Sequence, residues 1–124
     1  VIELGWSKGL DTIIQALNAA DIFLMPSTAE AFGMMAVESM ACGTPVIVFD
    51  GTALPDVIHA PDGGISAPAK DSKALADAIT ELLEDKQRYG QLVENGLRIA
   101  REEYALEKYI QRHIKLYMSL LDEE

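Results

Sequence analysis

An open parallel α/β sheet with flanking helices is the fold class this sequence predicts. Two brief apolar runs carry the prediction: Ile22-Phe23-Leu24-Met25, closed by Pro26, and Val46-Ile47-Val48-Phe49, opened by Pro45. Neither alternates with polar residues, which is the pattern of strands buried on both faces. Segments of helical periodicity lie between and after them, and strands alternating with helices indicate βαβ units. At 124 residues the chain is expected to form one domain, 1–124, large enough to bury a core.

Val1 to Trp6 reads as a short strand, and its start on the first residue without Met suggests a chain cut from something longer. Asp11 to Ala20 has helical spacing, with Ile13, Ile14, Leu17 and Ala20 on one face. After the strand at 21–26, Met34 to Cys42 is an apolar helix stopped by Gly43, with Pro45 two residues on. Gly51 to Pro55 is a loop, Asp56 to His59 a short helical or extended piece, and Gly64 to Pro68 a weak strand. Asp71 or Ser72 caps a helix to about Asp85, with Leu75, Ala78, Ile79 and Leu82 turned inward. Lys86 to Glu103 and Leu106 to Leu121 supply two more helices. The apolar stripe of the last (Tyr109, Ile110, Ile114, Tyr117, Leu121) is expected to cover a sheet face or edge.

The formal net charge of −10 argues against a nucleic-acid partner, which needs Lys and Arg to displace counterions from phosphates. Its distribution is more telling. Residues 1–62 hold one basic side chain, Lys8, against eight acids. An anionic ligand bound in that half would draw most of its neutralising charge from elsewhere. No apolar run approaches the roughly 20 residues of a membrane-spanning helix, and no secretory signal opens the chain. Membrane association of a parent protein is left open, since nothing in this segment encodes it. The lone Cys42 excludes an internal disulfide and fits a reducing, cytoplasmic setting.

Function is written most densely in Glu30-Ala31-Phe32-Gly33-Met34-Met35-Ala36-Val37-Glu38. Glu38 is the only charge between Ala31 and Val48, and a carboxylate in an apolar helix needs polar partners. Ligands of open parallel sheets bind beyond the carboxyl ends of the strands, where Glu30, Phe32 and Gly33 stand. The first N–H groups of the helix at Met34 have no intrahelical partner and favour an anion. Gly33 lets a ligand approach the backbone. Helical side chains lean toward the N-terminus, so Glu38 is expected to reach back toward the same cleft. Carboxylates accept hydrogen bonds and paired sugar hydroxyls donate them, so the two acids suit a hydroxyl-rich ligand.

These residues, with Asp21 to Ser27 before them and Ser39-Met40-Ala41-Cys42-Gly43-Thr44-Pro45-Val46-Ile47 after, resemble the donor-binding domain of GT-B glycosyltransferases. Within these the chain looks most like family 4, the "glycosyl transferases group 1". The signature is two glutamates separated by seven residues inside an E-G-F-G…E-A-M-A-x-G-x-P-V segment. The resemblance implies a Rossmann-like fold, the C-terminal part of a GT-B protein, and a retaining transfer from a nucleotide-diphosphate sugar to a sugar or glucan-type acceptor. Glu38 would hold the ribose hydroxyls. Glu30, the catalytic candidate, would contact the donor sugar. The backbone N–H groups of Phe32, Gly33 and Met34 would line the sugar and phosphate. No cofactor or protein-bound metal is implied; the donor is a substrate. The family's phosphate-binding basic pair lies upstream of this segment, and the acceptor is held by an N-terminal domain that is missing here, so the fragment alone is expected to be inactive. Departures from the pattern are Ala31, Thr52 and Ala53, each where the family has glycine. A sugar-nucleotide epimerase on the same fold and a non-catalytic nucleotide-sugar-binding module are the alternatives.

Plainer roles stand beside these. Glu38 could be a buried carboxylate met by a neighbouring hydroxyl, Glu30 a helix-start acid, and Phe32 a core anchor. Cys42 reads as a small buried hydrophobe, and Met34, Met35 and Met40 as core filling. His59 and His113 lack metal-ligand or triad spacing. Asp50, at a strand end, has no partners to make a phosphoacceptor.

Overall fold

The computed structural model describes Glu3, Gly5, Trp6 and residues 9–121. Along the chain run α1 (Leu10–Ala19), β1 (Phe23–Met25), α2 (Met34–Ala41), β2 (Val46–Phe49), α3 (Leu54–Val57), β3 (Ile65–Ala67), α4 (Ser72–Glu84), α5 (Lys86–Glu103) and α6 (Leu106–Leu121). The three strands form one parallel sheet in the order β1-β2-β3. Phe23, Leu24 and Met25 pair with Val46, Ile47 and Val48, and Ile47, Val48 and Phe49 pair with Ile65, Ser66 and Ala67. The strand expected over Val1–Trp6 falls largely outside the described residues.

Alternation along β2 divides the interior into two layers. Val46 and Val48 face a cluster with Ala36, Met40, Leu54, Ile58, Ile99 and Ala100. Ile47 faces the other side, with Leu82 and Leu92. All four residues of β2 are buried, as its uninterrupted apolar run implies. Asp71 caps α4 by accepting hydrogen bonds from the N–H groups of Lys73 and Ala74 (3.0 and 2.9 Å). Asp85 caps α5 in the same way through Arg88 N–H (2.9 Å). The Gly63-Gly64 turn lets the chain pass against Ile58 and Ile99, since a Cβ on Gly63 would lie 2.3 Å from the Ile58 carbonyl oxygen.

Four expectations need correction. Among the described residues β1 is an edge strand and is not fully buried: Leu24, on the Ile47 side, is exposed because α4 packs chiefly over β2 and β3. The apolar stripe of α6 covers no sheet face. The chain bends at Tyr104-Ala105, α6 leaves the body, and none of its residues is buried. Met34 is more than half exposed at the start of α2, whereas Met40 fills the core as expected. Cys42 is half-buried, not buried.

Candidate functional site

The junction between β1 and α2 is built on a backbone reversal. Gly33 precedes α2 with φ +89° and ψ +52°, a left-handed conformation that only glycine adopts readily. The space where a side chain would stand is filled by Leu54 of α3, whose Cδ2 lies 2.3 Å from an ideal Cβ position. The Cα side of Gly33 is therefore closed by protein. Its N–H side is different: the N–H groups of Gly33, Met34 and Met35 meet no acceptor among the described residues. Three adjacent donors at a helix start form a concentration of positive potential.

Glu30 sits at the edge of this cluster and is half-buried. Its Oε1 accepts hydrogen bonds from Ala31 N–H at 3.0 Å and, more weakly, from Phe32 N–H at 3.4 Å. The carboxylate thus supports its own loop, and the Phe32 N–H expected to line a ligand is already engaged. The other oxygen, Oε2, has no partner among the described residues. Phe32 turns away from Glu30 and stacks edge-on against Tyr104 (centroids 5.7 Å apart, planes at 85°).

Glu38 lies one turn into α2 and is also half-buried, and its carboxylate makes no hydrogen bond or ion pair among the described residues. It lines a groove of about 500 Å³ between α1 and α2, together with Leu10, Ile13, Ile14, Leu17 and Cys42. Glu30 does not line that groove. The two acids share a helix and its approach, but the structure does not bring them into one cavity. The groove itself is held in shape by a short relay. Thr44 Oγ donates to the Leu17 carbonyl (2.6 Å), and Ser39 Oγ donates to the Thr44 carbonyl (3.0 Å), so the ends of α1 and α2 are tied through buried hydroxyls. Of the α1 residues expected on one face, Leu17 is buried, whereas Ile14 is exposed along the groove together with Leu10; an apolar helix stripe of three or four residues does not by itself say what covers it.

A second cavity, of about 580 Å³, opens beside the loop between Phe32, Met34 and the α5–α6 bend. Tyr104, Tyr109, Arg112 and His113 line it. His59, left-handed at φ +51°, pairs with Glu103 at 3.2 Å, and His113 lies between Tyr109 and Tyr117 on α6. Asp50 accepts from Ala69 N–H (2.8 Å), a structural role. No group of three or more His, Cys, Asp or Glu among the described residues is arranged to hold a metal ion, and no described helix is long and apolar enough to cross a membrane.

The parallel sheet with its flanking helices is a Rossmann-like α/β fold that matches the C-terminal domain of a GT-B glycosyltransferase. Residues 1–98 match the family described as "Glycosyl transferases group 1", and the chain belongs to that family. It is 28% identical over 114 residues to the N-acetyl-alpha-D-glucosaminyl L-malate synthase of Bacillus anthracis, covering 92% of this chain and 30% of that protein. Among solved structures it resembles Anabaena HepE in complex with UDP-glucose (TM-score 0.78, 28% identity, 86% of this chain and 30% of that one). It also resembles the C-terminal domain of the group 1 family protein LpcC from Francisella tularensis (TM-score 0.75, 27% identity, 83% of this chain and 53% of that one). The chain therefore spans about a third of the length of the curated relatives it matches.

Proposed function

We propose that this chain, a single domain over 1–124, is the donor-binding part of a longer cytoplasmic, retaining glycosyltransferase of family 4. It would take its glycosyl group from a nucleotide-diphosphate sugar, pass it to a sugar or glucan-type acceptor held by an N-terminal domain, and need no metal cofactor. The observation that carries the reading is the row of unpartnered N–H groups at Gly33, Met34 and Met35 beside the free Oε2 of Glu30. Oriented backbone donors stabilise charge on a departing phosphate without reorganising. Glu30 then meets the sugar hydroxyls through Oε2. The α1–α2 groove takes the nucleoside: its Leu10 and Ile14 walls suit the flat face of a base, and Glu38 accepts from the ribose hydroxyls. The UDP-glucose bound by Anabaena HepE supports this class of donor. Phosphate charge exceeds what the loop supplies, so the remaining cations come from other parts of the longer protein, without which the fragment does not turn over.

The test is calorimetric titration of UDP-, ADP- and GDP-sugars into the chain and its Glu38→Ala variant. A hydrogen bond to a charged group contributes about 1.5–3 kcal/mol, or roughly 10- to 100-fold in affinity. Undiminished donor affinity in the variant would remove the ribose assignment.

A further inference from the structure

We propose that Tyr104 is a positioning residue that sets the conformation of the Glu30–Gly33 loop from the far end of the chain. The inference rests on the reading of that loop as the donor contact.

The loop between β1 and α2 has no regular structure of its own, and two side chains from elsewhere bracket it. Leu54 of α3 occupies the Cα side of Gly33. Tyr104, at the C-terminal end of α5, presents its ring to Phe32 in an edge-on pair, a geometry that aromatic quadrupoles favour over a face-to-face sandwich. Phe32 is nearly half exposed, so burial alone does not hold it. Tyr104 is held in turn. Its hydroxyl donates to the Val57 carbonyl at 2.8 Å, at the end of the same short helix that carries Leu54. Beside it the His59–Glu103 pair joins the turn after α3 to α5. The contacts close a circuit: Phe32 to Tyr104, Tyr104 to Val57, Val57 through α3 to Leu54, and Leu54 back to Gly33. Displacing the tyrosine ring frees Phe32 and, with it, the direction of the Gly33 and Met34 N–H groups. Tyr104 touches no donor-facing atom, so its effect passes entirely through the loop.

The experiment compares four variants of the 124-residue chain by backbone ¹⁵N relaxation and by UDP-glucose titration. Tyr104→Phe keeps the ring and drops the hydroxyl. Tyr104→Leu removes the ring contact. Tyr89→Leu is the matched control: its hydroxyl also donates to a backbone carbonyl, that of Asp21 (2.8 Å), but it packs in the opposite layer. Phe32→Leu breaks the same ring contact from its exposed side and decides the matter should Tyr104→Leu not fold. Order parameters at Ala31–Gly33 are expected near about 0.85 in the wild type and Tyr89→Leu, lower in Tyr104→Phe, which keeps the ring but loses its anchor on Val57, and below about 0.6 in Tyr104→Leu and Phe32→Leu. UDP-glucose affinity should fall roughly tenfold in Tyr104→Leu and Phe32→Leu, less in Tyr104→Phe, and stay within about twofold in Tyr89→Leu. Loop order unchanged in Tyr104→Leu and Phe32→Leu, or lost equally in Tyr89→Leu, overturns the proposal. A wild-type chain that binds no nucleotide sugar counts against the donor reading alone, and the order parameters still decide the positioning.

Discussion

Gly33 and Leu54 occupy one space: the position a Cβ would take on Gly33 is 2.3 Å from Leu54 Cδ2, and Leu54 is completely buried. Gly33→Ala therefore meets two penalties. A left-handed alanine costs about 1–2 kcal/mol, and pushing a packed leucine aside costs about 1–3 kcal/mol more. Urea unfolding of Gly33→Ala should show a loss of about 2–5 kcal/mol. Adding Leu54→Ala to it should cost less than Leu54→Ala does in the wild type, because it also relieves the clash with the new Cβ. Additive losses would show that the two residues do not compete.

The Ser39–Thr44–Leu17 relay makes a second prediction. Thr44→Val keeps the shape and removes the hydroxyl, leaving the Leu17 carbonyl with only the longer bond from Ala20 N–H (3.2 Å). The expected loss is about 1–3 kcal/mol. Ser39→Ala should cost less, about 1 kcal/mol, because its acceptor lies within the same turn region. Equal, negligible effects in a thermal melt would mean that water replaces both hydroxyls.

α5 contains an avoidable weakness. Gly90 is exposed in mid-helix, with nothing within 4 Å of a built Cβ. Gly90→Ala should stabilise the protein by about 0.5–1 kcal/mol, since glycine is a poor helix former and alanine the best. A destabilised variant would point to a partner surface there.

Much of this architecture was legible in the sequence because local signals and burial agreed. The spans Lys86–Glu103 and Leu106–Leu121 emerge as α5 and α6 because periodic apolar residues mark both and the acidic cap Asp85 marks the first. β2 reads as a central strand and is one. Legibility ended where the outcome depended on what covers a face. Leu24 looks like the valines and isoleucine of β2, but it lies on the strand that α4 does not chiefly cover and is exposed. The α6 stripe has core spacing and remains exposed, since spacing records which residues share a face and not what lies opposite. Glu30 and Glu38 were correctly placed on one loop–helix unit. Their separation was not legible, because it follows from α1, which walls the Glu38 groove, and from the turn of Glu30 onto its own backbone.

Alkaline pH supplies a further prediction. Burial, and secondarily Asp21, raises the Tyr89 pKa above its ordinary value. Burial and then Glu103 raise that of Tyr104, against a smaller lowering by Arg112. A group whose pKa is raised on folding contributes stability that is complete below its unfolded pKa, near 10, and is lost as pH rises through the folded value. The melting temperature should hold from about pH 8 to 9 and fall above about pH 10. Tyr89→Phe and Tyr104→Phe should each flatten that fall. Lys73, raised chiefly by its hydrogen bond to Asp77, titrates with the same sign, but it is fully exposed, so Lys73→Met should leave the profile almost unchanged. A profile that falls as steeply in the double Tyr→Phe variant would place the alkaline transition elsewhere.

The two glutamates are separable by ligand. In the proposed arrangement Glu38 meets the ribose, which UDP and UDP-glucose share, whereas Glu30 meets only the sugar. Glu38→Gln should weaken both ligands alike, by roughly 10- to 100-fold. Glu30→Gln should leave UDP affinity intact and weaken UDP-glucose. The glutamine can still accept from Ala31 N–H in place of the carboxylate Oε1, so the loop keeps its shape and only the charge toward the sugar is lost. Glu30→Ala removes that acceptor as well, frees the Ala31 and Phe32 N–H groups, and should lower the affinity for UDP too, by loosening the backbone that faces its phosphates. Calorimetry on the three variants with the two ligands gives six constants. Equal losses for UDP and UDP-glucose in Glu30→Gln would move Glu30 from the sugar to the nucleotide, and the assignment of the Gly33 end of the loop to the glycosyl group would fall with it.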